Sequence, residues 1–172
     1  MVMLRGLFVE IEENTIRNIV TNILKEYSDA GSAGSYSVRN TPGVFDDIDI
    51  AINEAGKAHK VFMETSLETR RAMIKAMRCI AEDNVEQLAR LAVKETGMGR
   101  YEDKIKKNML AIKMTPGVED LQPVTFSDDH GLTLIERAPY GVIGAIAPST
   151  NPTETILNNS ISMVSAGNAV VF

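Results

Sequence analysis

Apolar residues recur along this chain at two different periods, and the switch between them outlines the architecture. Between residues 11 and 27 the apolar positions Ile16, Ile19, Val20, Ile23, Leu24 and Tyr27 follow one helical stripe, with Arg17, Asn18, Thr21, Asn22, Lys25 and Glu26 filling the other face. Asn14 or Thr15 can cap its start. A Ser- and Gly-rich stretch, Ser28 to Gly43, carries almost no large apolar residues and reads as a flexible linker. From Val44 the pattern becomes globular. Asp46 or Asp47 starts a helix with Ile48, Ile52, Ala55, Ala58 and Phe62 on one side, and Ser66 caps the next, through Met73, Ala76, Met77 and Ile80. Asp83 with Glu86 forms a capping-box pattern for a third helix ending at Gly97, and a fourth runs from about Arg100 to Met114, stopped by Pro116.

The period then shortens. Leu121 to Phe126 and Leu132 to Ala138 read as a hairpin around a loop of about five residues, Ser127 to Gly131. Val142 to Ala147 is an apolar run without alternation, as expected of a parallel strand covered on both faces. Asn151-Pro152 opens a helix in which Glu154 can reach back from the third position. Gly167 ends that helix in a left-handed conformation, and Ala169 to Phe172 supplies a second strand. This is a βαβ unit. Its first loop lies at the carboxyl end of a strand, where open α/β sheets place ligands.

Composition narrows the functions. The 172 residues carry 18 basic and 23 acidic side chains, net −5, with no basic stripe, which argues against nucleic acid as a partner. The densest basic group, Lys104, Lys106 and Lys107, follows Glu102 and Asp103 and reads as a solvated helix face. No apolar run approaches the ~20 residues of a membrane helix. Arg5 and Gly6 interrupt the apolar opening, unlike a signal peptide. One cysteine, Cys79, excludes an internal disulfide and fits a reducing cytoplasm. It sits mid-helix beside Arg78, where a structural role is expected. His59 and His130 are too few for a metal site and are expected at the surface. The methionines at 63, 73, 77, 98, 109 and 114 read as core filler. Gly141 and Gly144 make no dinucleotide fingerprint, so motif spacing alone does not support cofactor binding. From spacing, Asn151 is a helix cap, although an amide can also donate through its nitrogen.

The stretch PYGVIGAIAPSTNP, followed by a helix and AGNAVVF, resembles the aldehyde dehydrogenase superfamily. PSTNPTET, ETGMG (Glu95 to Gly99), EDK (Glu102 to Lys104) and TPGVEDL (Thr115 to Leu121) are similar to its CoA-acylating branch, the acetaldehyde and propionaldehyde dehydrogenases of bacterial microcompartments. The resemblance covers roughly residues 43 to 172, with a weaker form reaching the amino terminus. It implies an α/β fold represented by its amino-terminal part: helices, a β-hairpin used in oligomer contacts and the start of a Rossmann-like parallel sheet. It also implies NAD as cofactor and coenzyme A as co-substrate. In that family a cysteine thiolate attacks the aldehyde, hydride leaves to NAD, and CoA takes the acyl group. Asn151 would supply a side-chain N–H to the oxyanion hole, and the backbone of Ala147, Pro148, Ser149 and Thr150 would line the nicotinamide side of the NAD site.

Residues 44–172 are thus expected to be a truncated NAD-binding domain, without the family's nucleophile and inactive alone, preceded by a helix (1–27) and a linker (28–43). The alternative is an interaction module. The stripe Ile16, Ile19, Val20, Ile23, Leu24 and Tyr27 is similar to peptides that dock enzymes onto microcompartment shell proteins. On that resemblance the protein is cytoplasmic, inside a microcompartment, and homo-oligomeric.

Overall fold

The computed structural model describes residues 42–172. The stripe from Ile16 to Tyr27 and nearly all of the linker lie outside the described residues. Helix α1 spans Ile48–Phe62, α2 Leu67–Asp83, α3 Val85–Thr96 and α4 Tyr101–Met114. A 3-10 turn at Val118–Leu121 leads into strands β1 (Val124–Asp128) and β2 (Gly131–Ile135), followed by β3 (Val142–Gly144), α5 (Pro152–Ser165) and β4 (Ala169–Val171).

Local chemistry sets most of these boundaries. The Asp47 carboxylate accepts from Ile50 N at 2.9 Å and Ser66 Oγ from Thr69 N at 3.0 Å, each satisfying an orphan donor of a first helical turn. Gly97 (φ 66°) and Gly167 (φ 87°) close α3 and α5 from the left-handed region, where a Cβ is costly. The Asp83–Glu86 capping box does not form. Asp83 is the last residue of α2, and Asn84 stands at the junction with its side-chain Nδ2 donating to Ile80 O at 2.8 Å. The amide thereby ends one helix instead of capping the next.

Helix α5 is the hub, packed against α2, α3, α4 and β4. Ile74, Val118 and Ile161 form its apolar centre, with Met77, Leu121 and Val164 against them. Ala76, Ala81, Ala89 and Ala92 are buried as well, small side chains that let α2 and α3 approach their neighbours closely. Methionine contributes less than the composition suggests. Met73, Met77 and Met109 are half-buried, whereas Met63, Met98 and Met114 are exposed. His130 is exposed as expected, but His59 is half-buried with its Nε2 out of solvent and unpartnered.

Strands β3 and β4 pair in parallel, Val142 opposite Ala169 and Gly144 opposite Val171, so the βαβ unit is present. Asn168, 4% exposed, fixes its register. Its Oδ1 accepts from Tyr140 N at 2.6 Å and Gly141 N at 3.0 Å, and its Nδ2 donates to Met163 O at 3.2 Å. β3 is shorter than the run to Ala147 suggests. One further ladder bond joins Ala145 N to Val171 O at 2.8 Å, after which Ile146 is 92% exposed. Nor is β3 covered on both faces: Val142 is exposed. Helix α1 meets this chain mainly along β4 and β3, a sheet too narrow to cover it, and buries no residue. Ile48 and Ile52 of its expected core face are exposed.

The hairpin is tighter than expected. Val124 pairs with Ile135 and Asp128 with Gly131, leaving Asp129 and His130 as the turn, closed by His130 N donating to Asp128 Oδ1 at 2.8 Å. Every residue of both strands is exposed.

Candidate active site at the seam of two helices

Asn151 stands where β3 gives way to α5. Asn151 N donates to Pro148 O at 3.2 Å, closing a turn over Ser149 and Thr150, and Thr155 N donates to Asn151 O at 3.2 Å as the first helical bond. Pro152 occupies the first helical turn, where its missing N–H costs nothing. The Asn151 side chain, however, makes no capping bond. Its Oδ1 accepts from Lys107 Nζ of α4 at 3.0 Å, and its Nδ2 has no hydrogen-bond partner among the described residues. The cap expected from spacing is therefore absent, and the amide keeps its donor free.

Beneath that turn α4 and α5 are joined by buried polar groups. Lys104, 2% exposed, donates to Thr150 O, and its Nζ lies 3.6 Å from Glu154 Oε1. Thr153 Oγ1 lies 2.8 Å from Asn108 Oδ1 and 3.2 Å from Glu154 Oε2; Asn108 is fully buried and its Nδ2 has no partner. Two expectations change here. Lys104 is not on a solvated face, because the α4 position it occupies looks into α5. Glu154 does not reach back over its own helix, because a buried ammonium is the better partner for a buried carboxylate.

Farther along the same seam, Asn158 Nδ2 donates to Thr115 Oγ1 at 3.0 Å. Arg78 donates to Ile112 O and Thr115 O at the carboxyl end of α4, where a cation suits the helix dipole. It also lies 3.8 Å from Glu119. Glu119 accepts from Gly117 N at 2.8 Å, and hydrogen bonds from the backbone, with Arg78 as a smaller cause, hold its carboxyl below the ordinary value near 4.5. At the far end of α5, Arg70 lies 5.0 Å over the Phe62 ring and donates to Ser165 O at 3.3 Å; burial lowers its pKa below the ordinary guanidinium value.

Between α4 and α5 lies a groove of about 520 Å³. Asn151, Thr155, Asn158 and Asn159 line one side and Lys107, Leu110 and Met114 the other, so Asn151 belongs to the wall of a cleft of mixed polarity. Of the other candidate residues, Ala147 is half-buried, while Pro148, Ser149 and Thr150 are exposed at the carboxyl end of β3. The structure thus brings Ala147 to Asn151 into one turn. Cys79 is elsewhere, half-buried on α2 with its sulfur 4.0 Å from Asp83 Oδ2, and does not line the groove. Among the described residues no group of His, Cys, Asp and Glu could hold a metal ion, and no helix is long and apolar enough to cross a membrane.

The family model for the aldehyde dehydrogenase family matches residues 37–172. The chain belongs to the aldehyde dehydrogenase family. It is 40% identical over 172 residues to an acetaldehyde dehydrogenase (acetylating) of Bilophila wadsworthia, covering 95% of this chain and 35% of that protein. Among solved structures, it is similar to a propionaldehyde dehydrogenase from the fucose utilisation bacterial microcompartment of Clostridium phytofermentans, at 49% identity and a TM-score of 0.72, over 76% of this chain and 30% of that one. A Rhodopseudomonas palustris propionaldehyde dehydrogenase with bound CoA and an acylated cysteine matches at 50% identity and a TM-score of 0.72, again over 76% and 30% of the two chains. The chain therefore spans about a third of the length of the relatives it matches. Lys104, Lys107 and Asn108 are the seam residues that sequence reasoning did not single out for the site. Lys104 was visible in it only as part of the EDK stretch and, with Lys107, of a basic group read as a solvated face.

Proposed function

We propose that residues 44–172 form the amino-terminal part of an NAD-dependent, CoA-acylating dehydrogenase of short aldehydes, acetaldehyde or propionaldehyde, with Asn151 as its oxyanion donor. The observation that carries this reading is the state of the Asn151 amide. Its oxygen is held by Lys107, its nitrogen has no partner among the described residues, and Asn151 and Lys107 both line the groove. When a thiolate adds to an aldehyde, charge collects on the former carbonyl oxygen. A fixed amide N–H beside that oxygen stabilises the developing alkoxide, an effect worth ~2.7–4 kcal/mol per donor in comparable sites. Cys79 does not line the groove, so the thiolate role is not assigned to it.

The turn from Ala147 to Thr150 fits the nicotinamide side of an NAD site. Its Pro148, Ser149 and Thr150 are exposed at the carboxyl end of a parallel strand, and Ile146 beside it presents a bare apolar side chain against which a ring can lie. Bound there, NAD supplies the hydride acceptor. The chain's own part is to hold the aldehyde between Asn151 and the groove walls, Thr155 and Asn159 facing Leu110 and Met114.

The experiment completes the chain with a homologous carboxyl-terminal part and supplies propionaldehyde, NAD and CoA. The proposal expects one propionyl-CoA for each NADH. Free propionate in its place, or a folded protein that forms neither, overturns it.

A second reading concerns location and partners. The relatives include a microcompartment enzyme, and the stripe Ile16, Ile19, Val20, Ile23, Leu24 and Tyr27 ahead of a Ser/Gly-rich linker suits a helix laid in a groove of a shell protein. Residues 11 to 30 fused to a fluorescent protein should concentrate in microcompartments, and Ile16→Glu with Ile23→Glu should leave the fusion diffuse. A double variant that still concentrates excludes this role. The exposed hairpin supports a homo-oligomer, with β1 and β2 against a second copy.

A further inference from the structure

We propose that Lys107 is a positioning residue for Asn151: its ammonium sets which way round the Asn151 amide stands. This rests on the reading of Asn151 as oxyanion donor, and it assigns a task to a lysine that otherwise looks like part of a solvated helix face.

The two ends of an asparagine amide are nearly the same size but opposite in function. One turned toward the reacting oxygen with its Nδ2 donates; turned over, it presents Oδ1 and repels an alkoxide. The helix does not choose between them, because Asn151 makes no capping bond and its Nδ2 has no partner among the described residues. Lys107 does choose. An ammonium has three donors and no acceptor, so it can bind Oδ1 and never Nδ2. At 3.0 Å it fixes Oδ1 on the α4 side and leaves Nδ2 as the end not held by α4. The same charge polarises the amide, which strengthens Nδ2 as a donor.

The partner is also placed with some rigidity. One turn before Lys107 on the same helix, Lys104 is buried and donates to Thr150 O, the residue preceding Asn151. Backbone and side chain of the Asn151 turn are therefore both gripped from α4, by lysines three residues apart. Lys107 itself is exposed, so its replacement does not disturb the core.

The test is a set of variants in the chain completed with a homologous carboxyl-terminal part, read as kcat and KM. Lys107→Met should lower kcat about fivefold to tenfold, the scale of one hydrogen bond, with KM for NAD unchanged. Lys107→Arg, still a donor only, should restore most of kcat. Lys107→Glu, an acceptor that prefers Nδ2, should be worse than Met. In an Asn151→Ala background Lys107→Met should cost nothing further, because there is no amide left to orient; a purely structural role would multiply the two losses. In the 172-residue chain itself, the Asn151 side-chain amide resonance, identified by its loss in Asn151→Asp, should move in Lys107→Met and much less in Lys107→Arg. An unmoved resonance, an unchanged kcat in Lys107→Met, or multiplying losses overturns the role of Lys107 while leaving Asn151 in place. Full kcat in Asn151→Ala instead removes the donor reading, and this one with it.

Discussion

The seam between α4 and α5 and the hairpin of β1 and β2 are built on opposite principles. At the seam, buried polar groups other than Asn108 Nδ2 are answered from within the chain: Lys104 by Thr150 O and Glu154, Thr153 by Asn108 Oδ1, Thr115 by Asn158. In the hairpin apolar groups are exposed and unanswered: Val124, Phe126, Leu132, Leu134 and Ile135 are all at least half in solvent. Burying an ion pair costs desolvation that Coulomb attraction only partly offsets, so a pair kept there is better evidence for fixed geometry than for stability. Exposed apolar strands mark the reverse, a surface whose stability is not set by its own chain. The seam holds the Asn151 turn in one arrangement, while the hairpin leaves its apolar side chains in solvent.

The comparison breaks most visibly at Lys104. Lys104→Met leaves Glu154, whose side chain is 11% exposed, without its counter-charge, and should cost about 3–5 kcal/mol in denaturant unfolding. Lys104→Met with Glu154→Leu should recover most of that loss. A single variant as stable as the parent would show that the pair does not hold the seam. The hairpin should behave in the opposite way. Leu132→Glu with Leu134→Glu should change stability by no more than ~0.5 kcal/mol per site, as exposed positions do, yet shift the protein from oligomer toward monomer by light scattering. Unfolding of the variant, with no change in mass, would mean that the strands pack on their own chain.

The smallest effect lies at the edge of the seam, at Glu119. Its folded pKa is depressed, so its contribution to stability is present above the ordinary value near 4.5 and is lost as pH falls from there through the folded value. Its side chain is 68% exposed, so screening by solvent keeps the effect small. Glu119→Gln should lower Tm slightly at pH 7 and converge with the parent in acid. A Tm difference that stays constant down through that range would show that the Gly117 and Arg78 contacts do not depend on the charge.

The sequence carried more of the scaffold than of the site. Asp47, Ser66, Gly97 and Gly167 were legible as helix ends because a cap is settled within a few residues of chain. The Asp83–Glu86 pattern misled, since it matches a capping box by spacing, yet Asn84 next door had a carbonyl within reach at Ile80. The parallel strands were found, but their length was not, because the apolar run Val142 to Ala147 does not tell where pairing stops. Lys104 and Lys107 show the larger gap. Both read as surface charge, since mixed charges on a helix look alike until a second helix, some 50 residues later, covers one of them. The resemblance to the family supplied Asn151, which spacing alone described as a cap. Its partner on α4 could come only from the packing.

The central claim is that Asn151 acts through its amide nitrogen and not as a cap, and one pair of variants separates these. Asn151→Asp retains an acceptor for Lys107 and remains a good N-cap, but has no N–H to give; Asn151→Ala has neither. In the completed enzyme at saturating aldehyde, NAD and CoA, kcat should fall about a hundredfold or more in Asn151→Ala, and as far or farther in Asn151→Asp, where a carboxylate faces the alkoxide. Near-normal kcat in Asn151→Asp would contradict the donor role and leave Asn151 as a structural residue of the turn.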